Sequence, residues 1–201
     1  MKSLNVYLES IIDNDDVYFE SLLDDEDIFF DSGNEKKLVK EWINDNYKIN
    51  GNLTISDDFV VDCDGGVRIK NKSIESLTNG MFKWGKVDGQ FWCNDCTKLK
   101  SLEGAPKEVG GDFYCGYCVK LETLEGAPKS VGGGFYCESC INLKSLKGTP
   151  EKVEGVFNCN YCDNLKSLEG APKKVGRNFE CRRCNNLKIT DSDRKRYKII
   201  Y

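Results

Sequence analysis

From Phe113 to Gly134 the chain reads FYCGYCVKLETLEGAPKSVGGG, and nearly the same text stands on either side of it. FWCNDCTKLKSLEGAPKEVGGD runs from Phe91 to Asp112, FYCESCINLKSLKGTPEKVEGV from Phe135 to Val156, and FNCNYCDNLKSLEGAPKKVGRN from Phe157 to Asn178. A fifth copy, FECRRCNNLKIT, starts at Phe179 and stops after Thr190. The period is 22 residues, without insertions. Units of this size bury their apolar faces only against one another, so the copies are expected to stack as coils of a solenoid.

Within a unit, Phe113 and Cys115 alternate with Tyr114, the period of a strand with one inward face. Cys118 follows where the chain must turn, and a small polar group there is expected to bond the backbone of the next coil. Leu121 and Leu124 are inward residues of the return path. Val109, Val131, Val153 and Val175 plug the core just before the following strand. All four prolines (Pro106, Pro128, Pro150, Pro172) occupy one position of the unit, two residues after a glycine. Flexible Gly and a Pro lacking its N–H exclude a helix there, so the convex side is expected to be extended or polyproline-like. The pattern fits the leucine-rich repeat L-x-L-x-x-N/C-x-L with one extra residue before the last Leu. The expected fold class is therefore an α/β solenoid. It combines a short leucine-rich-repeat-type parallel β-sheet, an extended or polyproline-like convex side, an N-terminal helical cap and a short C-terminal cap helix.

The unit F-x-C-x-x-C-x-x-L-x-S-L-E-G-A-P-x-x-V-G-G resembles the leucine-rich-repeat-like proteins encoded by large tailed bacteriophages. In those, Asn often stands where Cys96, Cys118, Cys140, Cys162 and Cys184 stand here. The resemblance covers roughly residues 61–190. It implies the fold, a viral source, a bacterial host and the host cytoplasm as the site of action; it implies no activity.

Four segments are expected. Residues 1–52 form an acidic helical N-terminal cap, and residues 53–90 a β-rich capping segment with a degenerate first repeat. Residues 91–190 form the solenoid and residues 191–201 a C-terminal cap. In the first, apolar clusters such as Ile11-Ile12, Leu22-Leu23 and Ile28-Phe29-Phe30 recur at helical spacing between acids. A helix capped by Ser32 or Asn34 is expected to run to about Tyr47, with Leu38, Val39, Trp42, Ile43 and Tyr47 on one face and Asn50-Gly51 ending it. Val61, Cys63, Val67 and Ile69 read as strand residues, so coils begin near Val67, preceded by an antiparallel strand pair. Phe82, Trp84 and Val87 fill that coil's return path. Thr190 or Ser192 starts a last helix reaching about Ile200.

Net charge is −4, unevenly spread. Residues 1–34 carry ten acids against Lys2 alone, while residues 173–201 carry ten basic residues against Glu180, Asp191 and Asp193. An acidic arm can imitate nucleic acid and a basic end can bind it, although charge runs are more often solvated faces. No stretch is long and apolar enough to span a membrane.

Ten of the eleven cysteines lie in C-x-x-C pairs, which raises zinc, an iron–sulfur cluster or disulfides. The chain has no His, so zinc would need thiolates from two adjacent coils. Coils stack about 4.8 Å apart, whereas tetrahedral Zn–S bonds of about 2.3 Å place sulfurs about 3.8 Å apart. The reading adopted is reduced, buried thiols packed as small hydrophobes, with Cys63 as one more inward strand residue and no cofactor.

Positions that differ between copies are free of the scaffold. One exposed column runs Trp92, Tyr114, Tyr136, Asn158, Glu180. Two flank it: Asn94, Gly116, Glu138, Asn160, Arg182 and Asp95, Tyr117, Ser139, Tyr161, Arg183. Rigid aromatics in a row are what binding hot spots use, and they also stabilise sheets by cross-strand stacking. The expected protein-binding residues are Trp92, Tyr114, Tyr136, Tyr117, Tyr161, Asp95, Glu138, Arg182 and Arg183. Catalysis finds no support, as no nucleophile is paired with a base and no phosphate loop is present. The sequence thus reads as a non-enzymatic module that binds a bacterial host protein, inhibiting or redirecting it. A nucleic-acid-directed protein and a metal-binding protein are the alternatives.

Overall fold

Alternation of inward Phe and Cys with outward residues gives each coil one short strand, and the inward Val gives it another. The structure, a computed structural model, describes residues 32–201. It is a β-solenoid of about six coils built on two parallel sheets.

The first sheet is ordered β1 (Tyr47–Asn50), β4 (Gly66–Ile69), β6 (Phe91–Trp92), β8 (Phe113–Tyr114), β10 (Phe135–Tyr136), β12 (Phe157–Asn158), β14 (Phe179–Glu180) and β15 (Ile199–Ile200). The second is ordered β13 (Lys174–Val175), β11 (Lys152–Val153), β9 (Ser130–Val131), β7 (Glu108–Val109), β5 (Lys83–Val87), β3 (Val60–Cys63) and β2 (Leu53–Ile55). Register is kept from coil to coil: Phe113 pairs with Phe91 and Phe135, and Val131 with Val109 and Val153.

This second sheet corrects the expectation of a single sheet with an extended convex side. The column of Val plugs is itself a parallel ladder, and turns and bends connect the two short strands of each coil. Helices stand at the ends of the described chain and not within its coils, so the repeat is β and turn, not α/β.

The core is columnar. Phe91, Phe113, Phe135, Phe157 and Phe179 are fully buried, and successive rings stack at 4.9–5.6 Å. Each such ring contributes about 1.5–3 kcal/mol by leaving water. Leu121, Leu143 and Leu165 line a second column, and Leu102, Leu124 and Leu146 a third. Gly104, Gly126, Gly148 and Gly170, each two residues before a Pro, have φ of +82° to +96°; Gly104 faces the Thr78 side chain, the other three face backbone. A Cβ on Gly126 would lie 2.4 Å from the Glu103 nitrogen, so both conformation and contact demand glycine there.

The ends differ from expectation in four places. Helix α1 (Ser32–Asn46) buries Val39 and Ile43 as expected, but it stops at Asn46, and Tyr47–Asn50 continues as a strand antiparallel to β4. Coils therefore begin at β3, with two antiparallel additions: β1 on the first sheet and β2 on the second. Trp84 and Val87 lie in β5, not in a return path. Helix α2 (Asp191–Arg196) is capped by Thr190 in a reciprocal box with Asp193, yet it ends before Tyr197. Ile199 and Ile200 then pair in parallel with β14. The expected acidic helical cap over residues 1–31 lies outside the described residues.

Candidate functional site

The thiols settle into two roles. Cys93, Cys115, Cys137 and Cys159 point inward, fully buried among the Phe rings. The second cysteine of four of the five pairs reaches back: Cys118, Cys140, Cys162 and Cys184 donate to the carbonyls of Cys93, Cys115, Cys137 and Cys159 at 3.1–3.3 Å. The bond thus goes to the preceding coil, not the next. A turn that follows the strand is stapled to the strand already laid down. All eleven thiols are free, and only Cys184 is less than fully buried. Burial pushes the Cys93, Cys115 and Cys140 thiols well up from their usual range, and Cys181 up to about 12. Among the described residues no group of three or more Cys, Asp or Glu is placed to hold a metal ion.

Outward from the first sheet stands the aromatic column. Trp92 stacks on Tyr114 at 5.6 Å and 5°, and Tyr114 on Tyr136 at 4.7 Å and 11°. Parallel register alone produces this, since Trp92, Tyr114 and Tyr136 are paired Cα partners. The three rings are half-buried, because each gives a face to its neighbour and leaves an edge to solvent. The Tyr114 hydroxyl donates to Asp112 Oδ2 at 3.0 Å. Burial, then that carboxylate, pushes its pKa up to about 12. The column is a stabilising stack as well as a surface.

The third column holds a feature that the sequence did not announce. Asp95, Tyr117, Ser139, Tyr161 and Arg183 all have φ of +54° to +61°. This left-handed conformation is favoured by Gly and tolerated by Asn; for other L-residues it costs about 1–2 kcal/mol. Five successive coils place a side-chain-bearing residue there. Tyr117 and Tyr161 are 52% and 45% exposed, and the Arg183 guanidinium lies 5.6 Å from the Tyr161 ring centre. A position of this kind keeps its side chain outward, where the scaffold gains nothing from it.

Between these columns, Gly116 leaves a notch that Glu138 fills from the next coil; a Cβ on Gly116 would sit 2.8 Å from Glu138 Cδ. Glu138 is half-buried, and its Oε2 has no hydrogen-bond partner among the described residues. Burial first, and the Asp95 charge second, raise its pKa. Asp95 and Arg182 are exposed; the Arg182 backbone N–H donates to Asn160 Oδ1 at 2.6 Å. Of the nine residues expected to bind, Trp92, Tyr114 and Tyr136 lie in strands of the first sheet, and the other six lie in the turns that follow its strands, over the coils from β6 to β14. The parallel register joins Trp92, Tyr114 and Tyr136 in one stack, and Arg183 meets Tyr161.

A shallow groove of about 290 Å³ crosses the second sheet, floored by Gly110 and Gly132 and walled by Lys86, Glu108, Lys129 and Lys152. Its signal in the sequence is the Gly pair after each Val, which reads equally as close coil packing. A Cβ on Gly132 would meet the Gly110 carbonyl oxygen at 2.2 Å, so close packing accounts for it.

No helix among the described residues is long and apolar enough to cross a membrane. No protein-family model matches this chain, and no curated protein or solved structure is significantly similar to it.

Proposed function

We propose that the chain is a non-enzymatic protein-binding module that engages its partner through the outer side of the first sheet. The observation that carries this reading is the pair Tyr117 and Tyr161, exposed rings held in a conformation that disfavours them. Strain kept where the scaffold does not need it points to use of the side chain. The stacked Trp92, Tyr114 and Tyr136 beside them supply a rigid platform, and rigid aromatics bind at low entropic cost. Asp95, Glu138, Arg182 and Arg183 give the platform both signs of charge at its margins.

The repeat's likeness to the leucine-rich-repeat-like proteins of large tailed phages supports a bacterial host protein as the partner. Inhibiting or redirecting that protein, as a component of a host defence, inside the host cytoplasm is the role proposed. The test compares wild type with a Tyr117→Asn/Tyr161→Asn variant in affinity capture from a bacterial lysate. Asn tolerates the left-handed conformation, so the variant retains its fold, which circular dichroism verifies. A partner held by wild type and lost by the variant supports the reading. A partner held equally by both removes this face from consideration.

A further inference from the structure

The two sheets end differently on the C-terminal side of the solenoid. The first is finished by β15: the Phe179 N–H donates to the Lys198 carbonyl and the Cys181 N–H to that of Ile200. The second stops at β13, with no strand beyond it among the described residues.

In every earlier coil the Val carbonyl is taken up by the coil that follows. Those of Val87, Val109, Val131 and Val153 accept from the N–H groups of Gly110, Gly132, Glu154 and Gly176. A neighbouring row runs through the carbonyls of Gly111, Gly133 and Gly155, which accept from Gly133, Gly155 and Arg177. No coil follows β13, so the carbonyls next in the two rows, those of Val175 and Arg177, have no such donor. Val175 is only partly buried, where Val153 one coil earlier is wholly so. Lys173, Lys174, Gly176 and Arg177 are exposed. Such an edge is a template for one more strand.

The side chains along the sheet say what that strand must carry. Inward, the column runs Val87, Val109, Val131, Val153, Val175, so a β-branched residue continues it. Outward, the column ends with Lys152 opposite Lys174, and like charges side by side are unfavourable. Lys152 is paired with Glu154, whereas Lys174 and Arg177 have no carboxylate within ion-pair distance among the described residues. Neither has Arg196, whose guanidinium donates to the Pro172 carbonyl just before β13. An acidic residue beside Lys174 is therefore favoured. After the Val, glycine bonds best: Gly110, Gly132 and Gly176 lie 2.8–2.9 Å from their acceptors, and Glu154 lies 3.4 Å from its own. A Cβ on any of those three glycines would meet a carbonyl oxygen of the preceding coil at 2.1–2.3 Å. The chain carries this order once itself, as Glu108-Val109-Gly110.

We propose that the open edge of β13 takes an extended segment of a partner protein by parallel strand addition, and that this segment reads acidic residue, Val or Ile, Gly. Nucleic acid would answer the charge but not the carbonyl rows, since it presents no peptide N–H groups at strand spacing. A second copy fits poorly. Its free edges in this sheet are β2, where Leu53-Thr54-Ile55 offers no acid, and another β13, which would bring Lys174 against Lys174. The edge belongs to the second sheet and the aromatic face to the first, so either can fail alone.

The test uses the full chain and two labelled peptides copied from it. GAPKEVGGD, residues 104–112, carries the acid–Val–Gly order; GAPKKVGRN, residues 170–178, carries the basic order of the edge itself. The first should bind saturably and shift the Val175 methyl and Arg177 amide resonances, leaving Val131, inside the stack, unmoved. The second should bind about tenfold more weakly or worse. Sarcosine in place of the glycine that follows Val in the first peptide should cost about tenfold as well, because it removes the donor to the Val175 carbonyl. Lys174→Glu should reverse the preference between the two peptides. Failure of GAPKEVGGD to bind, equal binding of its sarcosine form, or shifts confined to the aromatic face would each overturn the proposal. So would an oligothymidylate that moves the Val175 resonances at lower concentration than the peptide, or Val175 shifts that follow protein concentration alone. The sarcosine comparison stands even if Lys174→Glu does not fold.

Discussion

At the scale of single residues, each C-x-x-C pair divides its labour. Cys140 donates to the Cys115 carbonyl, whereas Cys115 is a filler among apolar neighbours. Cys140→Asn should therefore be tolerated, its amide replacing the weak S–H donor. Cys115→Asn should lose about 3 kcal/mol by burying an unpaired amide. Urea denaturation midpoints compare the two; equal losses would remove the distinction between the positions. Glu138 offers a second check. Its folded-state pKa is raised, so ionising it opposes folding: wild type gains stability as pH falls through the folded pKa, and the gain is complete below the unfolded value. Glu138→Gln should accordingly stabilise the protein at neutral pH, by less than about 1 kcal/mol given its partial exposure. Thermal melts of the two proteins should converge under acid conditions where both side chains are neutral.

At the scale of elements, the coil was legible because its signals are categorical. A fixed period, one Pro position and inward Phe and Cys at spacing two admit few structures, and the buried columns are those the spacing requires. The second sheet was not legible because its strands are two residues long. In Glu108-Val109 or Lys152-Val153 only one residue points inward, and a single inward residue has no period. Strand β15 was missed for a related reason: Tyr197 and Ile200 suit one helix face as well as a strand capping Phe179. The left-handed column stayed hidden because Asp, Tyr, Ser, Tyr and Arg share no conformational signature. Tyr117 and Tyr161 stand out in the sequence by their rings, while the backbone that presents them is a structural finding. Glycines in the turns allow a direct comparison. Gly80 has φ +74° with open space around it, whereas Gly126 at +85° abuts the Glu103 backbone. Ala at Gly80 should cost about 1 kcal/mol for the conformation alone, and Ala at Gly126 about 3 kcal/mol or more, since the coil spacing must also give. Equal losses in chemical denaturation would mean that the contact at Gly126 is accommodated freely.

At the scale of the molecule, stability should carry an alkaline signature. Cys181 is raised from 9.0 to about 12 and Tyr114 from 10.0 to about 12. For both, the unfolded chain loses its proton first. The stabilisation is therefore complete below about pH 9 and is lost as pH climbs toward 12. Denaturation midpoints followed across that window should fall steadily, and a flat profile would mean that the thiols are open to water. Coils that touch only their neighbours also behave as a one-dimensional array, so loss should begin at the incompletely covered end and travel inward.

The gap-free register has a consequence for how such a molecule can change. Because every coil presents the same Phe, Cys, Leu and Val to the coils above and below, a coil can be gained or lost between Phe91 and Asn178 without disturbing either terminus. Each event would move the two ends apart or together by one step of about 4.8 Å and add or remove one outward triplet of side chains. The chain is in this sense a ruler with interchangeable divisions. A lineage could adjust its span to a differently sized target by counting, where most folds would have to be rebuilt.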